Sequence, residues 1–290
     1  MSLRLKAPQI VRGISPAQLR THLAAPSPLP LLLPDLASGD VWPGARSWTL
    51  NDGLKRVRDV VEEDREVDVE LGPRGRGYLD KGYRRVGMGF GLFLDAFILD
   101  RIPSSTPKNQ RPTAYLAQYD IDPSSPLSKV DMPPLPHFTC GPRAEIWRRA
   151  LWIGPEGSWT PFHRDPYIGI YTHLIGQKRF WLLPPSSAGY LDISASPPHT
   201  NTSTIPISVS SVFPSSTASS TEEDIGIGGD TSDIPLEKME RYRDRLKRAF
   251  DVDGACEVVL GEGESVLVPE GWWHSAEGLS TGVGVNAWFR

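Results

Sequence analysis

The chain reads as a mainly β protein with flanking helices, its C-terminal half a β-sandwich or closed barrel. Three observations predict this. Glycine and proline are abundant, at 27 and 28 of 290 residues, so turns are frequent and long helices few. Short apolar stretches, among them YIGIYTHLI, KRFWLLP, CEVVL and GVGVNAWF, recur between Gly-, Pro- or charge-rich breaks. Hydrophobic residues make up 39%, enough to build a sizeable core.

Residues 1–140 mix helix and strand and are expected to pack on the barrel. Residues 16–24 and 50–62 are predicted helices, the second with Leu54, Val57 and Val61 at helical spacing. VDVELG (67–72) alternates with period two and predicts a strand; GLFLDAFIL (91–99) predicts a helix. Residues 141–290 form the expected core. Its first strand falls at Trp147–Ile153. YIGIYTHLI and KRFWLLP flank Gly176-Gln177, which predicts a β-hairpin. Residues 194–232 are dense in Ser and Thr and hold no Lys or Arg, so a flexible insertion is expected there. PLEKMERYRDRLKRAF (235–250) predicts a charged helix. CEVVLGEGESVLVPEGWWH then supplies strands around a Gly-rich turn, and GVGVNAWF the last one.

Composition narrows the function classes. Net charge is −4 with no long basic run, which argues against a nucleic-acid surface. No apolar run reaches the roughly 18 residues of a membrane span, and MSLRLKAPQIVRG lacks the apolar stretch of a signal peptide. Two cysteines, Cys140 and Cys256, cannot form a disulfide framework. An intracellular protein of the cytoplasm or nucleus, with reduced thiols, is the expectation.

TPFHRDPYIGIYTHLIGQKRF (160–180) carries the chemistry. His163 and Asp165 are two apart, so on extended chain both side chains leave one face. An H-x-D triplet alone is more often a polar turn than a metal site. Two histidines and a carboxylate on one face, with positions left open, suit a non-haem Fe(II) oxygenase. His274, where the strand ESVLVPEGWW ends, is the candidate second histidine. Lys178 opens an otherwise apolar strand. Facing a barrel interior it needs an anion, which a dicarboxylate cosubstrate would supply; facing solvent it is a turn lysine.

WIGPEGSWTPFHRDP, GQKRFWLLPP, GEGESVLVPEGWWHSAEGL and VNAWF, in that order, resemble the JmjC family of Fe(II)- and 2-oxoglutarate-dependent oxygenases. The resemblance is to the small cupin-like, JmjC-only hydroxylases, the group of factor inhibiting HIF. It covers residues 145–290 clearly and continues weakly upstream through VDVELG and AYLAQYDI.

The resemblance implies a double-stranded β-helix with iron held by His163, Asp165 and His274. It implies that Lys178 and Thr160 hold the far carboxylate of 2-oxoglutarate and that Tyr115 helps bind it. Asn286 and Trp288 would lie near the metal, although Tyr115 and Trp288 are equally readable as core packing. Several relatives carry an asparagine six residues after the first ligand; Gly169 stands there, which puts some cosubstrate contacts in doubt. The implied activity is hydroxylation of a protein side chain. Histone lysine demethylation and tRNA hydroxylation are alternatives of the same chemistry, and a catalytically idle binding module is the alternative of another class. Relatives that dimerise do so through helices beyond the last strand. None follows here, so a monomer is expected.

Overall fold

The computed structural model describes residues 5–107, 110–214, 229 and 231–290. Thirteen strands are present among them: β1 (Gln9–Ile10), β2 (Leu31–Leu33), β3 (Glu66–Gly72), β4 (Arg84–Gly89), β5 (Thr113–Asp120), β6 (Ile146–Gly154), β7 (Trp159–Arg164), β8 (Ile168–Ile175), β9 (Lys178–Leu183), β10 (Cys256–Leu260), β11 (Ser265–Val268), β12 (Trp273–Gly278) and β13 (Gly282–Phe289). They form a nine-stranded sheet, β1-β2-β11-β8-β13-β6-β5-β3-β4, and a four-stranded sheet, β10-β9-β12-β7.

From β6 to β13 the chain changes sheet at every step except β9 to β10. That winding is the double-stranded β-helix expected from the family resemblance. Tyr171, Trp152 and Trp288 of the large sheet meet Phe180, Leu182 and Ala276 of the small one in a shared core. Strands β2 and β5, from the first 140 residues, flank the four core strands of the large sheet on either side.

The hairpin expected around Gly176-Gln177 does not form. β8 pairs with β11 and β13, whereas β9 pairs with β10 and β12. A hairpin needs two strands that are neighbours in one sheet. Every residue of β8 is buried, so the chain turns a corner into the opposite sheet. Gly176 makes the corner possible: its φ is +80°, and a Cβ there would lie 2.4 Å from the Thr281 carbonyl oxygen.

The described part of the expected flexible insertion is also packed. Asn201–Ser203 runs beside β7, with the Arg164 amide donating to Asn201 O (3.0 Å) and the Ser203 amide to Phe162 O (2.7 Å). Ile205, Ile207, Val209 and Val212 are buried against Phe162, Trp181 and Trp273 on the outer side of the small sheet. These four apolar residues, dispersed among serines and threonines, bury enough surface to order the segment. Residues 215–228 and 230 of that expected insertion lie outside the described residues.

The helices follow their local signals. Ser15 caps Pro16–Leu23, accepting from the Gln18 amide (3.2 Å) while Gln18 Oε1 accepts from the Ser15 amide (2.8 Å). The second helix is Lys55–Val61, shorter than 50–62, because Leu54 and Glu62 both take positive φ. Residues Phe90–Ile98 are helical, ending in a π-helical turn, and Leu236–Phe250 forms the charged helix. No helix among the described residues is long and apolar enough to cross a membrane.

Candidate metal centre

β7 and β12 are antiparallel neighbours, and His163 faces His274 in their register. Directly opposed residues on one sheet face have Cβ atoms about 5 Å apart, and the two imidazole rings lie 4.2 Å apart at 52°. Asp165, two residues past His163, returns to the same face. Its Oδ1 is 3.9 Å from His163 Nε2 and its Oδ2 is 3.7 Å from His274 Nε2. One ligand atom from each of the three residues falls within 4.8 Å of the others, so a single ion could be held between them. No second group of this kind occurs among the described residues.

The ring nitrogens are assigned by their partners. His163 Nδ1 lies 2.9 Å from Pro161 O, and His274 Nδ1 lies 3.3 Å from Trp272 O. A carbonyl only accepts, so each Nδ1 carries the proton and each Nε2 keeps its lone pair toward Asp165. Burial and the facing His163 push the His274 imidazole down to about 4, so it is neutral at pH 7. The Trp288 indole N–H donates to Asp165 Oδ2 at 2.7 Å and fixes that carboxylate.

A narrow cavity runs from this triad into the barrel. Lys178 stands in its inner wall, buried, its Nζ donating to the Tyr115 hydroxyl at 2.6 Å. The rings of Tyr115 and Tyr171 each have centroids 5.0 Å from Nζ, and those of Trp152 and Phe180 lie at 5.6 and 5.9 Å. No carboxylate pairs with Lys178 among the described residues, and burial pulls its ammonium down to about 7. Thr160 lines the same cavity as Tyr115 and Lys178. Nearer the triad, Asn286 Oδ1 is buried without a partner. Gly169 lies across from it: a Cβ there would be 3.6 Å from Asn286 Oδ1 and 3.8 Å from Trp288.

All eight residues singled out in the sequence therefore line one cavity. Sequence reasoning missed Tyr171, which alternation could have found, since it shares the inward face of β8 with Gly169. It also missed Tyr78, whose hydroxyl meets Thr202 Oγ1 at 2.9 Å beside the triad. Burial, with smaller contributions from Glu70 and Asp165, raises that phenol to about 12. Tyr78 stands in a Gly- and Arg-rich loop, RGRGYLDKG, which carries no periodicity to place it.

A double-stranded β-helix in which two imidazoles and a carboxylate meet at the mouth of a buried cavity defines a cupin-type protein with a candidate metal centre. The chain belongs to the cupin-like family of JmjC-domain proteins: the model of the Cupin-like domain matches residues 16–290. It is similar to Lysine-specific demethylase JMJ30 of Arabidopsis thaliana, 24% identical over 248 residues, 86% of this chain and 47% of that protein. It is similar to Lysine-specific demethylase 8 of Xenopus tropicalis, 26% identical over 253 residues, 86% and 46% of the two chains. A third relative is the 2-oxoglutarate and iron-dependent oxygenase JMJD4 of Gallus gallus, 24% identical over 188 residues, 62% and 36%. The chain spans about half the length of the first two relatives.

Proposed function

We propose that the protein is an Fe(II)- and 2-oxoglutarate-dependent oxygenase that hydroxylates a side chain of a protein substrate. The observation that carries this reading is the shared cavity: a triad suited to Fe(II) at one end and a buried, anion-less lysine at the other. The donor set fits the metal. Two imidazoles and one carboxylate leave coordination positions free, as Fe(II) oxygen chemistry requires. Lys178 fits the cosubstrate, because a buried ammonium without a counter-charge is incomplete until a carboxylate reaches it. Iron and 2-oxoglutarate together with oxygen supply the oxidising power that replaces C–H by C–OH.

The chain's own residues do the rest. His163, Asp165 and His274 hold the ion from one side, and Trp288 keeps Asp165 turned toward it. Lys178, Tyr115 and Thr160 hold the far carboxylate, which orients the keto-acid end toward the metal. The aromatic walls around Lys178 exclude water and strengthen that ion pair. Hydroxylation of an N-methyl group, which leads to demethylation, is the same step on another carbon. The names of the JMJ30 and demethylase 8 relatives favour it as the second reading.

The test is metal loading followed by turnover of 2-oxoglutarate to succinate. Wild type should retain one Fe(II) per chain and form succinate, and His163→Ala and His274→Ala should do neither. Full metal occupancy in either variant would refute the triad. A wild-type protein that binds neither ligand would leave a binding module as the function.

A further inference from the structure

Behind Lys178 the barrel narrows to a pocket barely large enough for a water molecule, lined by Tyr115, Trp152, Tyr171, His173 and three glycines. Its polar groups are built in rather than left over. A Cβ at Gly284 would lie 2.0 Å from the Tyr171 hydroxyl oxygen, and one at Gly282 would lie 2.9 and 3.0 Å from the His173 ring. The two glycines of β13 thus make the room in which a phenol and an imidazole of β8 stand side by side. Tyr171 OH is 3.3 Å from His173 Nδ1, and His173 Nε2 is buried with no partner. Both side chains are almost wholly buried, and neither belongs to the metal triad.

Burial, reinforced by the Lys178 charge, pulls His173 down to about 3, so the ring is neutral and carries one proton. If Nε2 held that proton, a buried N–H would face a glycine with nothing to accept it, and orphaned buried N–H groups are rarer than orphaned acceptors. The proton therefore sits on Nδ1 and is donated to the Tyr171 oxygen. Tyr171 then cannot give its own proton to His173. That proton is free to turn toward the main cavity, which Tyr171 also lines beside Lys178.

The hydrogen-bond count around Lys178 says what the proton is for. Tyr115 accepts from Lys178, and two ammonium N–H groups remain uncommitted. An anion reaching this point would find donors from Lys178 and Tyr115, and Tyr171 adds one more. We infer that Tyr171 is a further anchor for the far carboxylate of the cosubstrate, and that His173 is its positioning residue, holding the phenol so that its proton faces the cavity. This rests on the function proposed above.

The test is calorimetric titration of the manganese(II)-loaded full chain with 2-oxoglutarate and, separately, with 2-oxopentanoate, which has the same keto-acid head and no far carboxylate. Tyr171→Phe should weaken 2-oxoglutarate about tenfold or more and leave 2-oxopentanoate unchanged. His173→Leu should weaken 2-oxoglutarate in the same ligand-selective way. His173→Asn should restore binding, because its amide nitrogen takes the place of Nδ1 and donates to Tyr171. Unchanged 2-oxoglutarate binding in Tyr171→Phe, equal weakening of both ligands, or no rescue by Asn would overturn the inference while leaving the function standing. Failure of the wild-type protein to bind 2-oxoglutarate would overturn both.

Discussion

Trp288 acts through one atom. Its indole N–H on Asp165 Oδ2 leaves the other carboxylate oxygen and both Nε2 atoms to the ion. Trp288→Phe keeps the packing and removes that bond, so metal affinity should fall about 10- to 100-fold, read by competition with a chelating dye. Lys178 gives a prediction whose sign follows from its depressed pKa. Between about 7 and the ordinary lysine value of 10.5 the unfolded chain holds a proton that the folded one lacks, so this group makes stability rise with pH across that window. Below it, the folded protein carries an uncompensated buried charge. A bound carboxylate restores the counter-charge, so binding takes up a proton. Affinity for 2-oxoglutarate should therefore weaken about tenfold per pH unit above 7. Lys178→Met should remove that dependence, weaken binding at pH 7 about tenfold or more, and raise the melting temperature at pH 6. A flat pH profile in wild type would contradict the account. The shared face of His163 and Asp165 was legible because alternation on a strand fixes which face a side chain leaves by, whereas the inward direction of Lys178 was open until the family resemblance was drawn. Tyr78 was not legible, because loop backbone has no period.

At the scale of elements, the strands were legible and their pairing was not. Apolar runs mark β8 and β9 whatever they pair with, and nothing in YIGIYTHLIGQKRFWLLP distinguishes a hairpin from a corner between sheets. The Ser/Thr-rich stretch misled for a different reason. Composition averages over a window, and four apolar side chains decide its fate. Ile207 is almost fully buried under that segment. Ile207→Ala should destabilise the protein by about 2–5 kcal/mol in urea denaturation. A change under about 0.5 kcal/mol, the range of neutral surface substitutions, would mean that the segment lies free of the sheet. Its place beside β7 also closes an edge that would otherwise present unpaired backbone groups next to His163.

For the molecule as a whole, the sheet that carries half of the site runs on into strands from the first 140 residues. β2 bonds to β11, and β5 bonds to β6. One hydrophobic cluster contains Trp42 and Phe93 together with Ile170 and Val285. Unfolding should therefore be a single transition, with tryptophan fluorescence and far-UV circular dichroism giving the same midpoint in urea. Two separated transitions would show independent units. β12 lies between β9 and β7, and β13 between β8 and β6, so the middle of each sheet is filled by the strands that come last along the chain. A growing polypeptide can pair β8 with β11, β9 with β10 and β5 with β6, but these pairs stay separate and β7 has no strand partner until the segment bearing His274 and Trp288 is made. Closure of both sheets waits on the synthesis of β12 and β13, and so does assembly of the His163, Asp165 and His274 cluster. A ribosome stalled before residue 273 would display a chain with one histidine and one aspartate of the triad and no centre to hold a metal.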